Sequence, residues 1–213
     1  MTSPSVRRDS SKKAWRNWWV RQLHSWHWIS AAISLVVMLF FAVTGITLNH
    51  AASIPAAPSV VERQGDLPRR MVEMLVRPAA PDAPLPEPVA QAVRDAVGLD
   101  AARRPAEWSD EEIYVALPRP GGDAWVSIDR ATGRLTAEIT DRGWISYLND
   151  LHKGRNSGIV WFWFIDLFAV ACIVFTLTGL LLLQIHSKRR RSTWPLVSAG
   201  LALPALLALL FVH

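Results

Sequence analysis

The stretch LHSWHWISAAISLVVMLFFAVTGITLNH, residues 23–50, decides the fold of this chain. From Leu23 to Leu48 it runs for 26 residues without Asp, Glu, Lys or Arg. As a helix those residues would be about 39 Å long, whereas the hydrocarbon core of a bilayer is about 30 Å thick. We therefore predict a first membrane span over residues 23–50, with His24 and His27 at one end and His50 at the other.

Two more apolar stretches predict further spans. The second covers residues 158–186, and Asp166 is its only charged residue. Counted back from Ile185, the 20 residues needed for a crossing end at Asp166, so this acid is predicted to lie near the opposite interface. The third covers residues 196–213; it is shorter and is interrupted by Pro204. A short loop, residues 187–195, joins the second and third spans.

The distribution of charge predicts the orientation of the spans. The tail, residues 1–22, carries six Lys or Arg against one Asp, and the loop 187–195 carries four basic residues. Such flanks are held on the cytoplasmic side. Residues 51–157 hold 13 basic and 16 acidic residues, a net charge of −3, and are predicted to be periplasmic, with His213 near the outer face. The basic residues thus flank the spans, which argues against nucleic-acid binding.

The N-terminal region is predicted to stay attached as an anchor. Trp15, Trp18 and Trp19 alternate with basic residues in the tail, which predicts a helix lying in the headgroup region before a turn into the first span. Small residues at 51–53 raise the alternative of a cleaved signal peptide. The first apolar stretch is much longer than the 7 to 15 residues of a signal-peptide core, so an uncleaved anchor is favoured.

Between the first two spans the pattern predicts a small α+β domain, residues 51–157. It begins with a connector whose five prolines between residues 78 and 88 prevent a helix there. Apolar residues at helical spacing then run from Val89 and stop before Gly98. The predicted elements are a short helix over 67–76, a helix over 89–97, and antiparallel strands over 113–117, 124–128 and 135–139, the last two joined by the turn Asp129–Gly133.

This strand, Asp-x-x-Thr-Gly turn and strand, after a short helix, resembles a PepSY domain. It lies between a Leu-His-x-Trp-His span and a Leu-His-x-Gly…Asp…Thr-Gly span, and the arrangement resembles the PepSY-associated transmembrane (PepSY-TM) family over roughly residues 20–190. The tail and the third span lie outside the resemblance. Larger members of that family include inner-membrane proteins implicated in ferric-siderophore reduction, with haem held by histidines at the two membrane faces. The resemblance therefore implies a bacterial inner-membrane location and b-type haem as the cofactor.

Five of the six histidines lie at the ends of the two longest spans. If these spans run in opposite directions, His186 meets His24 or His27 on the inner side, and His50 meets His152 on the outer side. Neutral imidazole is a good axial ligand for haem iron, and a bis-histidine haem needs one ring from each of two facing helices. A single interfacial histidine is more often an anchor, so the pairing carries the prediction.

Three other residues are candidate supports for these sites. Gly45 and Gly179 lie within two turns of a histidine, where a missing side chain admits a flat macrocycle or lets helices pack closely. Asp166 is an ionisable residue at the end of a span; it either pairs with Lys153, Arg155 or a haem-site histidine, or is hydrated.

Two hypotheses of function follow, together with a variant of the first. In the first, the protein binds b-type haem and takes part in transmembrane electron transfer from an electron donor, with a ferric chelate or a partner reductase as the acceptor. In the second, it is a non-enzymatic, membrane-anchored PepSY module that binds or inhibits a partner protein. The variant makes the chain a subunit of a larger reductase, as a homo- or hetero-oligomer.

His27 and His50 are 23 residues apart, about 35 Å along a straight helix, so two haems would lie far apart.

Overall fold

The computed structural model describes residues 4–55, 57–75, 80 and 82–212, with side chains from residue 11 onward. Val76, Pro78, Pro81 and His213, which the predictions include, lie outside the described residues. The helices are α1 Pro4–Asn49, α2 Arg69–Glu73, α3 Glu87–Val97, α4 Gly143–Lys153, α5 Gly158–His186 and α6 Thr193–Phe211. The strands are β1 Ser59–Asp66, β2 Glu107–Trp108, β3 Glu112–Ala116, β4 Gly122–Asp129 and β5 Arg134–Asp141.

Three of the helices, α1, α5 and α6, are long and apolar enough to cross a membrane. Their large apolar side chains are widely exposed, Val160 by 82% and Leu209 by 79%. Surfaces of this kind need lipid or protein to cover them. This indicates a multi-pass membrane protein, as the three apolar stretches predicted. Pro204 lies inside α6 and does not end it.

The predicted turn between the tail and the first span is wrong, because α1 continues without a break from Pro4 to Asn49. The reason is visible in the sequence, since residues 5–44 contain neither glycine nor proline. No position in this stretch therefore favours leaving the helical conformation. Trp15 and Trp19, one turn apart on α1, meet edge to face with ring centroids 5.6 Å apart.

The chain forms two compact units, Met1–Leu39 with Phe164–His213, and Phe40–Trp163. The second unit contains an antiparallel sheet in the order β1-β5-β4-β3-β2. The predicted hairpin is confirmed, with Ala124 opposite Ile139 and Ile128 opposite Leu135. The predicted count of three strands is wrong, because β1 and β2 complete a sheet of five.

Strand β1 was missed because its sequence, SVVERQGD, lacks the alternation of a half-buried strand. It pairs with β5 along eight residues and is exposed almost throughout. Gly65 is the point at which β1 approaches α3, since a Cβ there would lie 3.1 Å from Cβ of Ala96. The pairing with β5 therefore holds β1 in place more than burial does.

The turn between β4 and β5 has the predicted chemistry. Oδ1 of Asp129 accepts hydrogen bonds from the backbone N–H groups of Thr132 at 2.7 Å and Ala131 at 3.0 Å. These bonds, led by those from Thr132, hold the pKa of the Asp129 carboxyl below its usual range. Gly133 follows with φ of 77°, which a residue with a side chain rarely adopts.

Helix α3 covers one face of the sheet. Val89, Val93 and Val97 recur every fourth residue and are fully buried against strand residues such as Val126 and Ile128. Burying each such side chain stabilises the fold by about 1.5–3 kcal/mol. The helix ends as predicted at Gly98, which has φ of 72° and donates its N–H to the carbonyl of Arg94.

Helix α4 was not predicted, and it corrects the position of His152. The second span was predicted over residues 158–186, and α5 has these bounds, but His152 was expected at the entry to that span. Instead, α4 ends at Lys153, and Gly154 takes a left-handed conformation with φ of 65° before α5 begins at Gly158. His152 therefore lies on a separate helix before the second span.

Asp150 fastens α4 to the sheet. Its side chain is almost fully buried, and Oδ2 accepts a hydrogen bond of 2.9 Å from the N–H of Gly121 in the turn before β4. Oδ1 lies 3.6 Å from Nζ of Lys153 and 3.4 Å from Nε of Arg155. The two basic residues that were candidate partners of Asp166 thus pair with Asp150.

We expect Asp150→Ala to loosen the contact between α4 and the sheet by about 1–3 kcal/mol, the cost of losing a hydrogen bond to a buried charged group. The ion pairs add little, because Lys153 and Arg155 are half exposed. The loosening should appear as faster amide hydrogen exchange at Gly121 in the full-length protein. Asp110→Ala, at an exposed position, is the control; equal protection in both variants would contradict the role of Asp150.

Candidate functional site

His24 and His27 on α1 and His186 at the end of α5 lie close together. We call these three residues the inner cluster, after the side of the membrane predicted for them from charge. The rings of His24 and His186 meet edge to face, with centroids 6.2 Å apart and planes at 71°. The sequence left open whether His24 or His27 faces His186, and the ring contact is made by His24.

His27 makes a different contact with α5. Its Nδ1 lies 3.2 Å from the carbonyl oxygen of Phe175 and 3.1 Å from Oγ1 of Thr178. The imidazole stacks on the Phe175 ring at 4.7 Å, nearly parallel to it. A Cβ on Gly179 would lie only 3.2 Å from Cε1 of His27, so the glycine makes room for an imidazole.

His152 repeats this contact on α1. Its Nδ1 lies 2.8 Å from Oγ1 of Thr44, and its ring lies 4.9 Å from that of Phe41. A Cβ on Gly45 would lie 3.5 Å from Cε1 of His152. In both cases a histidine packs on a Phe-x-x-Thr-Gly sequence, FAVTG at 41–45 and FTLTG at 175–179. We call each of these a histidine–threonine contact.

Hydrogen bonding indicates the tautomer of both imidazoles. Nδ1 of His27 lies within hydrogen-bond distance of the Phe175 carbonyl, which only accepts, so Nδ1 of His27 is a donor. The hydroxyl of Thr44 lies 3.0 Å from the carbonyl of Phe40, and that of Thr178 lies 2.6 Å from the carbonyl of Val174. A hydroxyl that donates to such a carbonyl accepts the N–H of the histidine, and we infer this arrangement, with the proton on Nδ1 and the lone pair on Nε2, for His152.

His50 and His186 have the same tautomer for a simpler reason. Nδ1 of His50 lies 3.0 Å from the carbonyl of Ile46, and Nδ1 of His186 lies 2.8 Å from the carbonyl of Leu182. A carbonyl only accepts, so Nδ1 is the donor in both. A neutral imidazole with Nδ1 bonded in this way offers Nε2 to a metal.

The predicted outer pair does not meet in the structure. Within the described residues, no ring contact or hydrogen bond joins His50 and His152. His152 lies against Thr44 and Gly45 instead, which are closer to the middle of α1. The outer haem site stays a prediction.

A cavity of about 590 Å³ opens beside the inner cluster. His24, His27 and His186 line it together with apolar leucines. The remaining lining residues are Gly179, Arg189, Arg190 and Thr193. The inner cluster therefore combines imidazole nitrogens, an apolar wall and two cations around one space.

Asp166 has no part in these contacts. It is exposed, and it makes no ion pair or hydrogen bond in the part of the chain that the structure describes. Among those same residues, no three His, Cys, Asp or Glu side chains lie together as a metal-binding group.

Comparison with protein families gives one match. A family model described as "Putative PepSY_TM-like" matches residues 18–213. This confirms the resemblance to the PepSY-TM family but corrects its extent, because the match includes α6, which the resemblance left outside. No curated protein and no solved structure matches the chain.

The tautomer assignment predicts different effects for two matched substitutions. Thr44→Val removes the one described acceptor of the His152 Nδ1–H, at a cost of about 1–3 kcal/mol. Thr178→Val leaves His27 the carbonyl of Phe175 as an acceptor. The ¹⁵N shifts of the side chains should therefore show His152 changing tautomer in the first variant and His27 keeping Nδ1–H in the second. Equal effects in both variants would contradict the assignment.

Proposed function

The chain belongs to the Putative PepSY_TM-like family, and we propose that it binds b-type haem at the inner histidine cluster and takes part in transmembrane electron transfer. The observation that carries the proposal is the ring pair of His24 and His186 beside the cavity. The two side chains come from α1 and α5, so one ligand from each of two helices is available.

The rings of His24 and His186 come from two different helices and have centroids 6.2 Å apart. If haem binds, these two residues would hold its iron, one imidazole from each helix. Nε2 of His186 is free to coordinate because Nδ1 is bonded to Leu182, and such a second bond holds the ring in place and raises the basicity of the ligand.

The other lining residues have supporting tasks. Haem, when bound, supplies reversible one-electron chemistry at its iron. His27 keeps α5 against α1 through Thr178, and its ring closes one side of the cavity. Leu182 and Leu183 line the cavity and make part of its wall apolar. A low local polarity is one of the levers by which a protein sets the reduction potential of an iron site.

A proposed direction of electron flow rests on the charges at the ends of the spans. We propose that the basic tail and loop 187–195 lie on the cytoplasmic side of a bacterial inner membrane, together with the inner cluster, and that the sheet domain is periplasmic. Electrons from a cytoplasmic donor would then move outward. We propose a second haem site at His50 and His152, and a ferric chelate as the acceptor.

The alternative function, a membrane-anchored module that binds a partner protein, has support of its own. Strand β1 pairs with β5 on one side only and forms an edge of the sheet. An extended segment of a partner can add to such an edge through backbone hydrogen bonds. The two functions differ in the visible absorbance of the purified protein, since only the first requires bound haem.

We expect the purified full-length protein to be coloured, with the reduced visible spectrum of bis-imidazole haem. His24→Ala and His186→Ala should each abolish the inner haem, because each removes one axial ligand. His152→Ala should remove only the part of the absorbance that belongs to the outer site.

Gln184→Ala is the matched control, an exposed position on α5 that does not line the cavity. A colourless protein from haem-replete cells would overturn the haem proposal in favour of the binding module. A coloured protein whose spectrum survives both His24→Ala and His186→Ala would overturn the ligand pair.

A further inference from the structure

Two arginines, Arg189 and Arg190, line the inner cavity without an anionic partner within the described residues. Arg189 and Arg190 are both exposed, and neither makes an ion pair within the described residues. Lys188 and Arg191 are their neighbours in the same basic loop, but neither of them lines the cavity. Two of the four basic residues of this loop therefore line the cavity.

The backbone holds these two arginines in a defined turn. Residues Ser187–Arg189 form a short 3₁₀ helix, and the N–H of Arg190 donates to the carbonyl of Ser187 at 2.9 Å. The carbonyl of Arg190 in turn accepts from both the N–H of Thr193, at 3.1 Å, and its hydroxyl, at 2.8 Å. Thr193 is buried at the start of α6, so the turn is tied to that helix.

The lining residues change character along the chain. Gly179, Leu182 and Leu183 lie on α5 and are apolar, whereas Arg189 and Arg190 lie in or beside the turn that follows α5 and provide two cations. A ligand that satisfies both must be mostly apolar and carry its negative charge at one edge. Guanidinium groups bind carboxylates through two parallel hydrogen bonds, which suits a ligand with carboxylates at that edge.

We propose that Arg189 and Arg190 bind the two carboxylates of the tetrapyrrole and so set its affinity and its orientation in the inner site. This inference rests on the proposed haem function. It makes the turn between α5 and α6 part of the binding site, and it gives the third span a task, because Thr193 of α6 holds the Arg190 backbone.

The test compares haem b with its dimethyl ester, in which both carboxylates are masked. The full-length protein is produced without haem, purified in detergent and titrated with each compound, and binding is followed by the Soret absorbance. The wild-type protein should bind haem b more tightly than the ester. Arg189→Gln and Arg190→Gln should each weaken haem b binding about tenfold, the effect of losing one charge-assisted contact.

Neither arginine substitution should change binding of the ester, which also shows that the variants remain folded. Lys188→Gln and Arg191→Gln are the matched controls, since they remove the same charge from the same loop outside the cavity, and they should behave as the wild type. If haem b binds and the arginine variants match these controls, the carboxylate inference is overturned while the haem proposal stands. If the wild type takes up neither compound, both are overturned.

Discussion

An imidazole that packs between apolar helices needs a hydrogen-bond partner there, because an unpaired polar group in such surroundings is costly. Thr44 and Thr178 meet this requirement for His152 and His27 in the same way. Each threonine hydroxyl also lies within hydrogen-bond distance of a carbonyl of its own helix. The two contacts hold His27 and His152 in place beside the other histidines from which the candidate sites are built.

The histidine–threonine contact occurs once in each of the two compact units. In one unit, α1 supplies the histidine and α5 the Phe-x-x-Thr-Gly sequence. In the other, α4 supplies the histidine and α1 the sequence. The glycine has the same task in both, which is to leave room for the imidazole rather than for a second helix backbone. From sequence, each glycine was expected to admit a macrocycle or to let helices pack closely; in the structure the nearest atom to an added Cβ belongs to a histidine in both cases.

Helix α4 links the outer contact to the sheet domain. Along its length, Asn149 accepts a hydrogen bond from Thr47, Asp150 binds the backbone of Gly121, and His152 binds Thr44. A change in the turn that contains Gly121 would thus reach the residue two positions from His152. Helix α4 therefore connects the sheet to His152 through hydrogen bonds at both ends of this segment.

Much of the architecture could be predicted from the sequence alone. The absence of charge over residues 23–48 determines a membrane helix, because water cannot satisfy a backbone in hydrocarbon. The valines at 89, 93 and 97 and the Asp129–Gly133 turn determine a helix and a hairpin, because these patterns depend on local geometry. The set of candidate histidine ligands was also evident, although His152 lies on α4 and not at the end of α5.

Tertiary structure decided the rest, for reasons that no local pattern contains. Strand β1 exists because β5 offers it hydrogen bonds, although its own residues are polar and exposed. His152 lies on α4 because left-handed residues, Gly154 among them, separate that helix from α5. His24 and not His27 is the neighbour of His186, because the His27 ring contacts Thr178 and Phe175 instead. Sequence determined which residues were available, and contacts between distant segments determined which of them meet.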